Sequence, residues 1–222
     1  MKFLAVLAER CTGTHFAEHA IARNFKIQTI RILGKHFFGH DETVFDNENA
    51  DETLFVFLTR HPIDWIDSFF KRLHNVPPEN KTNIYSFINN GFYSIHEQGE
   101  KKNTELMEDR NIITKERYKD IFELRKVKNN YLMNVVEKKV KHFLILKYED
   151  LRDNYDATLD KIGSQFNLER WHPNTQYEKI IKYKGTYNAE YYKKPILISD
   201  EVVDQIKERI DIEQERELGY EL

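Results

Sequence analysis

The segment from Phe3 to Phe16, FLAVLAERCTGTHF, constrains the fold more than any other stretch, because an apolar run of strand length ends in a polar loop with one glycine that opens a helix. A strand that feeds such a turn presents backbone N–H groups and a helix N-terminus to an anion. The common phosphate loop reads G-x-x-x-x-G-K-[ST]; its lysine reaches the terminal phosphates and its hydroxyl binds magnesium. Here Ala8 stands at the first glycine position, Gly13 at the second, Thr14 at the lysine position and His15 at the hydroxyl position. The loop of Arg10, Cys11, Thr12, Gly13, Thr14 and His15 therefore keeps the anion-binding backbone and one cation, and it lacks the parts that would hold a metal. It suits a phosphate that arrives without one.

Further runs of strand length occur at Ile27 to Leu33, Thr53 to Thr59 and His142 to Lys147, with helix-like segments after most of them. The near-continuous apolar run Leu54-Phe55-Val56-Phe57-Leu58 implies a sheet covered on both faces, hence an α/β chain with parallel strands. Ligands of such sheets bind at the carboxyl ends of the strands. Helices are expected from about Thr14 to Asn24, from Pro62 onward, over the spaced apolar residues between Tyr118 and Val140, over Leu151 to Phe166, and over Ser199 to Ile210. Between Leu73 and Asn111 the periodicity breaks down, which reads as an insertion over the sheet edge at about 74–111, partly mobile.

Length and composition favour a single domain spanning 1–222, because 222 residues with 40 % hydrophobic side chains suffice for one core. A net charge of -3 gives no global field toward nucleic acid or an anionic membrane, so any anion site must be local. The lone Cys11 forms no internal disulfide, which fits a reducing compartment. The first apolar run falls well short of the roughly 20 residues needed to span a bilayer and has no small-residue cleavage site. The expectation is a cytoplasmic protein without a membrane span.

A second motif follows the Thr53 to Thr59 run: Arg60-His61-Pro62-Ile63-Asp64-Trp65-Ile66-Asp67-Ser68. With Pro62 as the first helical residue, Ser68 lies roughly 9 Å along the helix, so Arg60 and Ser68 can grip one anion. This pair of segments resembles the sulfotransferases that use 3′-phosphoadenosine 5′-phosphosulfate (PAPS). The match assigns Arg10, Thr12, Gly13 and Thr14 to the 5′-phosphosulfate, within a loop that also includes Cys11 and His15, and it assigns Arg60 and Ser68 to the 3′-phosphate. Lys147-Tyr148-Glu149-Asp150-Leu151 is similar to a strand-ending segment common in these enzymes, with a structural role. Lys184 and Gly185 correspond to the late Arg-Lys-Gly of cytosolic members. The loop spacing, Glu-Arg-x-x-Gly-Thr, looks like that of microbial and viral members. The resemblance implies a three-layer α/β/α fold around a mainly parallel sheet, similar to P-loop NTPases, and PAPS as donor without a metal.

Sulfonyl transfer to a hydroxyl needs a base for the acceptor proton, and cations or N–H donors for charge on the leaving phosphate oxygen. Lys35-His36-Phe37-Phe38-Gly39-His40-Asp41-Glu42 follows the second strand and resembles the Lys-His segment in which some sulfotransferases place that base. His36 is the first choice, with His40 and Glu42 as alternatives, and Lys35 or Arg10 would contact the bridging oxygen or the sulfonyl group. An imidazole of ordinary pKa suits a base at neutral pH. The acceptor would be a small molecule or saccharide bearing a hydroxyl.

Other residues favour plainer readings. Trp65, with Phe69 and Leu73 at helical spacing, reads as core. Cys11 has no evident partner for nucleophilic chemistry, and His15 and His19 lack the glutamate of His-Glu-x-x-His. The tyrosine- and lysine-rich stretch from Tyr177 to Lys194 reads as a flap over the nucleotide rather than a nucleic-acid surface. Competing functions are a nucleotide or small-molecule kinase with a degenerate loop and a catalytically silent nucleotide-binding protein.

Overall fold

The computed structural model describes residues 1–30, 36–37, 39, 45–46, 49–180, 182–183, 186–187 and 196–222. The described elements run β1 (Phe3–Leu7), α1 (Thr14–Asn24), β2 (Gln28–Thr29), β3 (Thr53–Thr59), α2 (Pro62–Phe70), α3 (Ile84–Asn89), α4 (Ile121–Tyr131), a π-helical turn (Leu132–Val136), α5 (Glu137–Lys139), β4 (His142–Lys147), α6 (Tyr148–Asp153), α7 (Tyr155–Gln165), β5 (Lys182–Tyr183), β6 (Thr186–Tyr187), α8 (Asp200–Arg209) and α9 (Ile212–Glu217). The chain separates into two compact units of interleaved segments. The first comprises Met1–His36, Glu42–His61 and Val136–Pro195; the second comprises Phe37–Asp41, Pro62–Val135 and Ile196–Leu222.

The first unit is built on a four-stranded sheet in the order β2-β1-β3-β4, every neighbouring pair parallel. An α/β architecture is thus present, as the buried apolar runs imply. Alternation of side chains along each strand sends Leu4, Val6 and Ala8 from β1 and Leu54, Val56 and Leu58 from β3 to one face. There they meet Phe16, Ala17, Ala20 and Ile21 of α1 and Leu159 and Ile162 of α7 in one apolar cluster. The residues between them, including Ala5, Phe55 and Phe57, are buried as well, and Phe45 packs edge-on against Phe55.

β1, β3 and β4 coincide with the expected runs. β2 is described only as Gln28–Thr29, although Ile30 continues the ladder by donating its N–H to the Leu4 carbonyl. The helix expected over Leu151 to Phe166 is two helices: the backbone at Asn154 leaves the helical region (φ -126, ψ 47), and Thr158 Oγ1 donates back to the Asp150 carbonyl across the break.

The second unit has its own aromatic core. Phe69 stacks edge-on with Phe87 and Phe92, and Trp65 is fully buried beside Phe69 with the Arg125 guanidinium over its ring. The segment 74–111 contributes Val76, Phe87, Ile88, Phe92 and Ile95 to that interior. Helix ends are capped by side chains: Asn83 and Ser86 form a capping box on α3, Asp120 accepts from Phe122 and Glu123 on α4, and Ser199 accepts from Val202 on α8. Among the described residues, no helix is long and apolar enough to cross a membrane.

Candidate functional site

The order β2-β1-β3-β4 turns the chain to one side after β1 and to the other for β3, which places the topological switch between these two strands. Open parallel sheets bind ligands at the carboxyl ends of strands at such a switch. The register delivers the site residues there. β1 opposes β3 with a constant offset of 50 (Phe3 opposite Thr53, Leu7 opposite Phe57), and β3 opposes β4 with a constant offset of 88 (Leu54 opposite His142, Thr59 opposite Lys147). Continuing both offsets beyond the strands aligns Arg10, Arg60 and Tyr148, then Cys11, His61 and Glu149.

Contacts in the first unit follow that alignment. Arg60 Nη1 donates to the Cys11 carbonyl at 3.1 Å, and its guanidinium lies over the Tyr148 ring, 4.7 Å from the centroid. The His61 N–H donates to Glu149 Oε1 at 3.1 Å. Cys11 is left-handed (φ 62), and Gly13, at the N-cap of α1, has φ 107. Only glycine takes that conformation without strain. α1 has no side-chain cap, although the Gly13 carbonyl accepts from Phe16 and Ala17. Among the described residues, the N–H groups of Thr12, Gly13 and Thr14 have no protein acceptor. Three successive donors at the positive end of an 11-residue helix make an anion nest.

Arg10 turns inward. Its side chain is 0 % exposed, and both its Nε and its backbone N–H bind Glu9 Oε1, at 2.6 and 2.7 Å. Glu9, which the sequence reading did not single out, thus balances the charge of the loop's own arginine. Thr12 Oγ1 donates to the Glu9 carbonyl and tightens the same turn. Thr14 is buried at the start of α1, and partly exposed His15 lies 3.4 Å from Glu18.

His36 Nδ1 lies 2.8 Å from the Ala8 carbonyl, at the end of β1. In the neutral ring Nδ1 then carries the proton and donates to that carbonyl. Ser68 is on α2 in the second unit and is partly exposed. Lys35, His40, Glu42, Lys184 and Gly185 lie outside the described residues. Among the described residues, no group of three or more His, Cys, Asp or Glu side chains is arranged to hold a metal ion.

Tyr148 is the residue whose part in the site the sequence did not reveal. A Cβ on Gly13 would come within 2.6 Å of its Cδ2, Phe16 packs edge-on at 5.8 Å, and Arg152 approaches the ring at 5.7 Å. Burial pushes the Tyr148 phenol upward against the opposing influence of Arg60 and Arg152. Its position just after a strand was the available signal, but the ring's role depends on the strand register. Comparison with family models, with curated proteins and with solved structures gave no match.

Proposed function

We propose that this chain is a PAPS-dependent sulfotransferase with the three-layer, P-loop-like fold its motifs resemble. One observation carries the reading: Arg60 and His36, taken from separate sequence motifs, both contact the turn that follows β1, one at the Cys11 carbonyl and the other at the Ala8 carbonyl. The residues present suit a phosphosulfate, because the acceptor-free N–H groups of Thr12 to Thr14 can take its oxygens and Arg60 adds a cation beside them. PAPS would supply an activated sulfonyl group, and transfer needs no metal.

In this reading His36 does the proton chemistry. Its Nδ1–H is held by the Ala8 carbonyl, and Nε2 would serve as the base for the acceptor's hydroxyl proton while the sulfonyl group passes to the acceptor oxygen from the bridging phosphate oxygen. The N–H donors of the turn stabilise the charge that develops on that oxygen. Glu9 keeps Arg10 folded into the turn as a fixed, compensated support.

Titration calorimetry with 3′-phosphoadenosine 5′-phosphate (PAP), beside ATP with magnesium, tests the assignment. The expected outcome is a preference for PAP without added metal, weakened about tenfold or more in Arg60→Ala, the loss typical of one charged hydrogen bond. A preference for ATP with magnesium would transfer the site to a kinase.

A further inference from the structure

We propose that the Tyr148 ring is the positioning element of the anion turn, acting through its faces and edge rather than its hydroxyl. The proposal rests on the anion-binding reading of the turn but not on the identity of the nucleotide. Three observations carry it. The ring edge meets Gly13 so closely that even a methyl there would come within 2.6 Å of Cδ2, which fixes where the N-terminus of α1 sits. One face carries the Arg60 guanidinium, 4.7 Å from the centroid, while the same guanidinium holds the Cys11 carbonyl at 3.1 Å. The phenol itself makes no hydrogen bond among the described residues.

The ring therefore registers two donors of different origin. Gly13 belongs to the nest of N–H groups, and Arg60 belongs to the end of β3. An anion bound by both requires their spacing to be set before it arrives, because any adjustment on binding subtracts from affinity. A planar aromatic does this well: it accepts a cation on its face and close backbone at its edge, and it has only two rotatable angles to restrain. The buried seat of Tyr148 against Phe16 and Leu151 in the apolar cluster locks those angles.

The test compares Tyr148→Phe with Tyr148→Leu, using inorganic sulfate and PAP as separate calorimetric probes, with thermal melting in parallel. Tyr148→Phe should bind both probes within about twofold of the native chain. Tyr148→Leu should lose on the order of tenfold for both, since small misplacements of a preorganised site are costly. A merely structural tyrosine would lower the melting temperature of Tyr148→Leu and leave sulfate affinity in the folded fraction unchanged, which would overturn the proposal. Loss of binding in Tyr148→Phe equal to that in Tyr148→Leu would also overturn it, by assigning the effect to the hydroxyl. Should Tyr148→Leu fail to fold, Arg60→Lys carries the test: it keeps the ring on Gly13 but removes the stacked guanidinium plane, and unchanged sulfate affinity would overturn the proposal. Ring-dependent sulfate binding with no preference for PAP over ATP would sustain the positioning role while removing the sulfotransferase reading. No binding of either probe by the native chain would overturn both.

Discussion

In the second unit Arg125 meets Glu215 through two hydrogen bonds of 2.6 and 2.7 Å, and Lys128 meets Asp109, which also accepts from Ser94; each charged side chain in these pairs is 5 % exposed or less. At the strand ends of the first unit, in contrast, three successive N–H groups lack a protein acceptor among the described residues, and a left-handed Cys11 and Gly13 shape the turn that presents them. The second unit uses its buried charges to define its own packing. The first unit buries Arg10 against Glu9 and, among the described residues, leaves the neighbouring N–H groups of Thr12 to Thr14 without an acceptor. The difference separates polar groups that are paired within the fold from polar groups that the described fold leaves unpaired.

The largest effect expected from this contrast lies in the second unit. Lys128→Met leaves Asp109 charged and enclosed, and breaking a buried pair from one side costs about 3–5 kcal/mol. Urea unfolding followed by tryptophan fluorescence from Trp65 reads the loss, and a change under about 1 kcal/mol would end the claim that this pair organises the unit.

His36→Ala should do the reverse. If the proposed reaction is right, the turnover of PAPS falls about 10²- to 10⁴-fold, the range for removing a general base, while the unfolding midpoint stays put. Loss of stability with full activity would place His36 among the structural residues.

The smallest effect concerns acid. The Asp211 carboxyl, which caps α9, is held below the usual carboxylate range by its hydrogen bond to Lys126 and by the backbone N–H groups of Gln214 and Glu213. Because the folded value is depressed, its stabilising contribution is complete above the ordinary carboxylate pKa of about 3.9 and is lost as pH falls through the folded value. Asp211→Asn should flatten the pH dependence of the urea midpoint below about pH 4. An unaltered slope would show that the cap has no linked proton.

Much of the sheet was legible because its strands are buried on both faces. Thr53–Thr59 is apolar at five of seven positions, and its shortness and its β-branched and aromatic content favour a buried strand over a helix. The Asn154 break was hidden because Leu151, Tyr155, Leu159 and Ile162 keep helical spacing straight across it, so the periodicity outlasts the helix. The interior of the segment 74–111 was hidden for the opposite reason: Val76 from a loop, Phe87 from the six-residue α3 and Phe92 from an isolated β-bridge reach their core from pieces too short to show a period. At the site, Gly13 and Arg60 could be read from their places after strands. The roles of Tyr148 and Glu149 arise from offsets between distant strands, a tertiary quantity that no local pattern encodes. Glu9 pairs with its immediate neighbour, and the direction of that pair follows from the turn rather than from the residue types.

Because β4 closes the free side of β3 from 88 positions further along, the first unit cannot finish its sheet until most of the chain has been made. At about 5–20 residues per second, a ribosome takes roughly 4 to 18 s to cover that gap. Throughout that interval TLFVFLT waits without its second neighbour, a short β-prone segment without a charge or a proline to discourage self-association. Newly made chains should therefore depend on a holding chaperone during translation, and slowing the ribosome between codons 60 and 142 should lower the yield of native protein.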